Sequence, residues 1–192
     1  MHRSSSSDHS ILGEYRTIAE ALFPRDGFPS GQGPDLKAAA AFAESLGIDA
    51  EYQRLFALKR NDAKMREFLG HFQNNLDLLI QKTWVEKADE TRKEKLQDEI
   101  PHFMALIEQE DFHQALDKFG KVLDELAYLF FGSQSTKDDF TEYTFRIDIQ
   151  MGLFWWYGSR IGDLKENSKN CAPNDESLWA VLLIGLCYLT NF

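Results

Sequence analysis

Apolar residues recur along most of the chain at the three- and four-residue spacing that is typical of α-helices. One stripe runs through Met65, Phe68, Phe72, Leu76 and Ile80. Strand signals are nearly absent, because no segment alternates β-branched and polar residues and no Asn-Gly hairpin turn occurs. The pattern predicts an all-α fold, a single-domain antiparallel helical bundle of about seven to eight helices with mostly short connections.

Aspartate, glycine and proline mark several predicted helix ends. An alanine-rich helix is predicted from about Asp35 to Leu46, with Pro34 before it and Gly47 as its C-cap, and Asp111 is predicted to cap another helix. Pro101 predicts the start of a further helix, because proline suits the first helical turn. Residues 24–34 hold three prolines and three glycines, which indicates an ordered loop or a hinge.

The length of the chain, 192 residues, fits one domain. Residues 1–9 include four consecutive serines and no apolar core, so we expect a flexible leader rather than a secretory signal. Residues 10–192 are expected to form the single helical domain. The two cysteines exclude a disulfide scaffold and a multi-cysteine zinc site, and we expect them to be reduced in the cytoplasm.

Acidic side chains dominate the second half of a chain whose net charge is −10. Residues 97–192 hold 7 basic and 16 acidic side chains, against 14 and 15 in residues 1–96. Such a field repels phosphate backbones and anionic lipids, so we predict no nucleic-acid and no membrane partner. It is compatible with a basic protein partner, or it serves solubility alone. Residues 82–99 carry eleven charges, which indicates a solvated helical stretch or a lever between packed segments.

Residues 177–192 carry no charge and therefore raise the question of a membrane anchor. The segment has 16 residues, whereas a spanning helix needs about 20. We predict a buried core helix, with a short tail anchor as the alternative.

The densest aromatic segment falls in a predicted helix between residues 138 and 162. Its four consecutive aromatic residues, FWWY, cannot all face one core, because successive helical residues are about 100° apart. At least one is predicted to reach a surface, a pocket or a partner, and Arg160 is spaced to stack on Trp156. The alternative is an aromatic core. The candidate binding residues of this patch or pocket are Tyr143, Arg146, Asp148, Trp155, Trp156, Tyr157 and Arg160.

Two Glu-x-x-His pairs are candidate metal ligands, Glu99 with His102 and Glu110 with His113. Di-iron carboxylate bundles need such pairs on different helices, whereas these pairs are only eleven residues apart. We therefore predict no metal site and no cofactor, and we expect His113 to form a surface pair with Asp117.

Residues 51–56, EYQRLF, resemble the Tyr-x-Arg-Leu-Phe element of the TorD/NarJ class of redox-enzyme chaperones. Proteins of that class are also acidic, all-helical and near this length. The resemblance covers six residues, and the acidic-Pro-Asp-His motif of the class is missing here.

Two functional hypotheses follow from these patterns. The chain lacks the His-Glu-x-x-His, Gly-x-Ser-x-Gly and phosphate-loop motifs, so we predict no catalytic residue. The first hypothesis is a non-enzymatic cytosolic helical-bundle protein that acts by protein–protein interaction or self-association, as an adaptor or in a chaperone-like role. The alternative is a small-molecule or metal-binding bundle, or an enzyme, that uses an aromatic pocket around residues 138–162.

Overall fold

The computed structural model describes residues 16–29, 31–82, 90–131 and 149–191. These residues form nine helices and no strand, which confirms the all-α fold. The helices are α1 (16–22), α2 (Leu36–Ser45), α3 (Asp49–Phe56), α4 (Ala63–Lys82), α5 (Glu90–Glu108), α6 (Phe112–Phe131), α7 (Ile149–Ile161), α8 (Leu164–Asn167) and α9 (Glu176–Thr190).

Several helix ends lie where the capping residues predicted them. The carboxylate of Asp35 accepts a hydrogen bond from the backbone N–H of Lys37 at 2.8 Å and thus caps α2. Gly47 follows α2 with a φ of 74°, a left-handed conformation that glycine adopts without strain. Asp111 accepts a hydrogen bond from the N–H of Gln114 at the start of α6.

Pro101 lies inside α5, so the prediction that it begins a helix is wrong. Proline removes one backbone hydrogen bond from a helix interior. The apolar face of α5 nevertheless continues through this point, since Leu96, Ile100, Phe103 and Ile107 are all buried. Packing of this face against the core keeps the helix continuous, and the proline itself is exposed.

Helix α9 lies at the centre of the core. It packs against α2, α3, α4 and α6, and every residue from Ser177 to Cys187 is buried. The prediction that this charge-free segment is a core helix is therefore confirmed for the part that is described. No helix in the described ranges combines the length and the apolar character needed to cross a membrane.

Helix α6 lies between α5 and α7. Arg92 of α5 pairs with Glu125 of α6, and Glu99 pairs with Lys118, so these two helices run in opposite directions. The antiparallel order of the whole bundle stays a prediction. On the other side of α6, Gly158 of α7 faces Leu123.

The glycine- and proline-rich loop before α2 lies against the segment that leads into α9. The Cys171 thiol donates to the backbone carbonyl of Gln32 at 2.9 Å. A Cβ added to Gly33 would overlap the hydroxyl of Ser177, so the loop backbone lies close to the first turn of α9. These contacts fasten the loop to the start of the central helix.

Candidate functional site

Three of the seven predicted binding residues, Tyr143, Arg146 and Asp148, lie outside the described residues. Trp155 is part of α7, but its side chain is outside the described part of the chain. The structure brings Trp156, Tyr157 and Arg160 together on α7. The predicted site is therefore described through these three side chains.

Tyr157 is a core residue. Its side chain is completely buried, and its ring stacks on those of Phe42 and Phe154 at centroid distances of 5.7 and 5.8 Å. Its hydroxyl donates a hydrogen bond to the backbone carbonyl of Val181 in α9. Burial raises the pKa of this phenol well above its ordinary value, so the hydroxyl stays protonated. Tyr157 thus joins α7 to the central helix and offers no surface to a partner.

We expect Tyr157→Phe to lower the free energy of unfolding by about 1 kcal/mol, because it removes one buried hydrogen bond and little apolar area. Urea denaturation followed by circular dichroism measures the change. An unchanged midpoint would contradict the assigned role of the hydroxyl.

Trp156 lies at the edge of the core, half-buried. Its ring meets that of Phe23 edge-on, with centroids 5.6 Å apart, and the Arg160 guanidinium carbon lies 5.8 Å from its centroid. The predicted stacking of Arg160 on Trp156 is confirmed. Ser159, also half-buried, donates from its hydroxyl to the Trp156 carbonyl at 2.7 Å. We call these three side chains, Trp156, Ser159 and Arg160, the Trp156–Arg160 surface.

Arg160 has no carboxylate partner among the described residues. Its Nε is buried and lacks a hydrogen-bond acceptor in the same part of the chain. What distinguishes Arg160 from the other described arginines is this buried Nε, because buried polar groups are nearly always hydrogen-bonded. The buried Nε is out of reach from solvent, so an acceptor from outside these residues would meet the Nη groups of this half-buried side chain.

The glutamates of the two candidate metal-ligand pairs form ion pairs with basic side chains. The Glu99 carboxylate pairs with Lys118 of α6, and Glu110 pairs with Arg60 through Oε1 and Nε at 2.6 Å. Within the ranges that the structure describes, no three His, Cys, Asp or Glu side chains are grouped so that they could hold a metal ion.

The predicted pair of His113 and Asp117 does not form. The Nε2 atom of His113 lies 2.9 Å from the backbone carbonyl of Ser168, so the imidazole is turned toward the segment after α8. Asp117 instead lies 3.5 Å from the Lys121 ammonium, one helical turn further along α6. Contact between α6 and α8 has displaced the local pair that the spacing predicted.

Both cysteines are buried as free thiols. Burial raises the pKa of Cys171 and of Cys187, so both thiols are protonated at neutral pH. This environment disfavours a nucleophilic role for either residue.

Two open grooves are lined by described residues away from α7. One, of about 630 Å³, runs between α5 and α6. The other, of about 500 Å³, lies beside residues 46–51 and Tyr188. Sequence reasoning did not identify the first groove, because it treated the charges of residues 82–99 as solvated.

Residues 51–56, which resemble the chaperone element, lie on α3, and two of them pack into the core. Tyr52 and Leu55 are buried on the face of α3 that packs toward α9, and burial raises the pKa of Tyr52 to about 12. Arg54 is exposed. No protein-family model, curated protein or solved structure matches the chain.

Proposed function

We propose that the protein is a non-enzymatic cytosolic helical bundle that acts as an adaptor or in a chaperone-like role, by binding another protein at the Trp156–Arg160 surface. One observation carries this proposal. A half-buried tryptophan is stacked by an arginine whose buried Nε has no hydrogen-bond acceptor in the described part of the chain. Tryptophan and arginine are the residue types most enriched among the energetic centres of protein interfaces.

The core beneath this surface favours binding. Trp156 packs on Phe23, and its neighbour Tyr157 is fixed in the core by the bond to Val181. The indole is therefore held in place before a partner arrives, which lowers the entropy lost on association. The partner would cover the exposed part of the indole and supply a carboxylate or carbonyl oxygen to the Arg160 guanidinium.

We expect Trp156→Ala and Arg160→Gln each to weaken capture of the partner by at least about tenfold, the effect of losing a central interface side chain. The measurement is affinity capture from native extract, with the captured proteins quantified by mass spectrometry. Leu78→Ala is the matched control, since Leu78 is 51% exposed on α4 and also loses apolar surface. Circular dichroism confirms that each variant is folded.

A partner captured equally well by wild type, Trp156→Ala and Arg160→Gln would contradict the proposal, because binding would then use another surface. Arg160→Gln matters for this comparison, since it keeps the indole and removes the guanidinium with its charge and its donors. A partner lost from both α7 variants and retained by Leu78→Ala would support it.

A further inference from the structure

The groove between α5 and α6 has the same pattern of side chains on both walls. Each wall presents two basic residues, one apolar residue and one acidic residue, at positions i, i+3, i+4 and i+7. The residues are Arg92, Lys95, Leu96 and Glu99 on α5, and Lys118, Lys121, Val122 and Glu125 on α6. Because the helices run in opposite directions, the two walls are related by an approximate twofold axis.

The two ends of the groove are closed by ion pairs. At one end Arg92 Nε lies 2.5 Å from Glu125 Oε2, and at the other Lys118 pairs with Glu99. Each glutamate therefore meets the first basic residue of the opposite wall. Each carboxylate is held by the basic residue opposite it, and the two ion pairs mark the limits of the groove.

The middle of the groove carries two lysines that no carboxylate of the opposite wall neutralises. Lys95 has no ion pair among the described residues, and Lys121 contacts only Asp117 on its own helix, at 3.5 Å, with its side chain 74% exposed. The pKa of Glu99 is lowered, first by its hydrogen bond to Lys118 and also by the charge of Lys121.

We propose that this groove binds a compact diphosphate-type oxyanion, held between Lys95 and Lys121. The lining residues include four basic and two acidic side chains, and Asp117 beside the groove pairs with Lys121, so one positive charge is in excess here in a chain of net charge −10. Its volume of about 630 Å³ is within the range of small-molecule sites. The site is separate from the Trp156–Arg160 surface and does not depend on the proposed function.

The ends of the groove favour a compact anion over an extended acidic segment. An acidic helix lying along the groove would bring its carboxylates past Glu99 and Glu125, and like charges at short range repel. A diphosphate centred between the two lysines avoids both. The apolar residues of the two walls, Leu96 and Val122, are only 3% and 2% exposed. Binding in the groove therefore depends on charge and not on apolar burial.

Calorimetric titration of the full chain with inorganic pyrophosphate at low ionic strength tests this site. We expect saturable binding to wild type and an affinity about tenfold lower in the double variant Lys95→Gln/Lys121→Gln, because two charged hydrogen bonds are lost. The matched control is Lys37→Gln/Lys64→Gln, which removes the same charge from exposed positions on α2 and α4 and should change the affinity less than about twofold.

Three results would overturn the proposal. The first is the absence of saturable binding to wild type. The second is equal weakening in the two double variants, which would reflect net charge alone. The third is tighter binding of an oligoglutamate peptide than of pyrophosphate, which would assign the groove to an acidic protein segment. Titration with ADP distinguishes a free diphosphate from one carried by a nucleotide, and either source supports the site.

Discussion

Trp179→Ala is expected to lower the free energy of unfolding by about 3–5 kcal/mol, the usual cost of truncating a large core aromatic side chain. Trp179 is 1% exposed on the central helix, and its ring stacks on that of Phe112 of α6 at 5.4 Å. The Arg60 guanidinium carbon lies beside both rings, 5.9 Å from the indole centroid and 5.3 Å from that of Phe112. Since domains are stable by only about 5–15 kcal/mol, urea denaturation should show a large shift of the midpoint.

Trp179→Phe is the matched variant for this prediction. Phenylalanine keeps the stacking ring and removes the indole Nε1, which is buried without an acceptor in the described part of the chain. We expect a loss of about 1–2 kcal/mol, because the smaller cavity is partly offset by the removal of an unsatisfied donor. Equal stability of wild type and Trp179→Ala would contradict the central position of α9.

Gly185→Ala is expected to destabilise the protein by about 2 kcal/mol, the cost of overpacking a close helix contact. The added Cβ would overlap the Phe119 ring, with Cζ at 2.7 Å and the Tyr157 hydroxyl at 3.2 Å. Phe119 cannot turn away easily, because its ring is stacked on that of Phe103 at 5.3 Å. The clash therefore outweighs the better helix propensity of alanine.

Gly70→Ala is the control for this effect, and we expect a change of opposite sign. Gly70 lies inside α4, is exposed, and has no atom within 4 Å of an added Cβ. Alanine there should raise the free energy of unfolding by about 0.5–1 kcal/mol through helix propensity alone. If both glycine variants changed the free energy of unfolding in the same direction, that result would contradict the close contact between α9 and α6.

The parts of the fold that were predictable from the sequence depend on local signals. Gly47 and Asp111 mark the helix ends that the sequence predicted, because capping acts within one helical turn. The charge-free run that became α9 is distinctive because so few stretches of the chain lack charge. Pro101 misled the prediction because tertiary packing, which no local signal reports, keeps α5 continuous.

The candidate site was predictable only in part, for a related reason. The spacing of Trp156 and Tyr157 shows that both cannot face the same way, but it does not show which one faces the core. That choice depends on how α7 packs on α6, where Gly158 faces Leu123. The patterns on the two walls of the α5–α6 groove were visible in the sequence, but their pairing depends on the turn at Glu110, whose φ is 58°.

Site-specific photo-cross-linking in the cells of origin tests most directly whether the Trp156–Arg160 surface binds a protein. In one variant of this chain, a photoreactive aromatic amino acid replaces Ser159, which lies on this surface beside Trp156. In a second variant of the same chain, the control, it replaces the exposed Leu78. We predict a discrete adduct of this chain with one other protein from position 159 and not from position 78. A folded protein that gives no adduct at 159, or the same adducts from both positions, would contradict the proposed function.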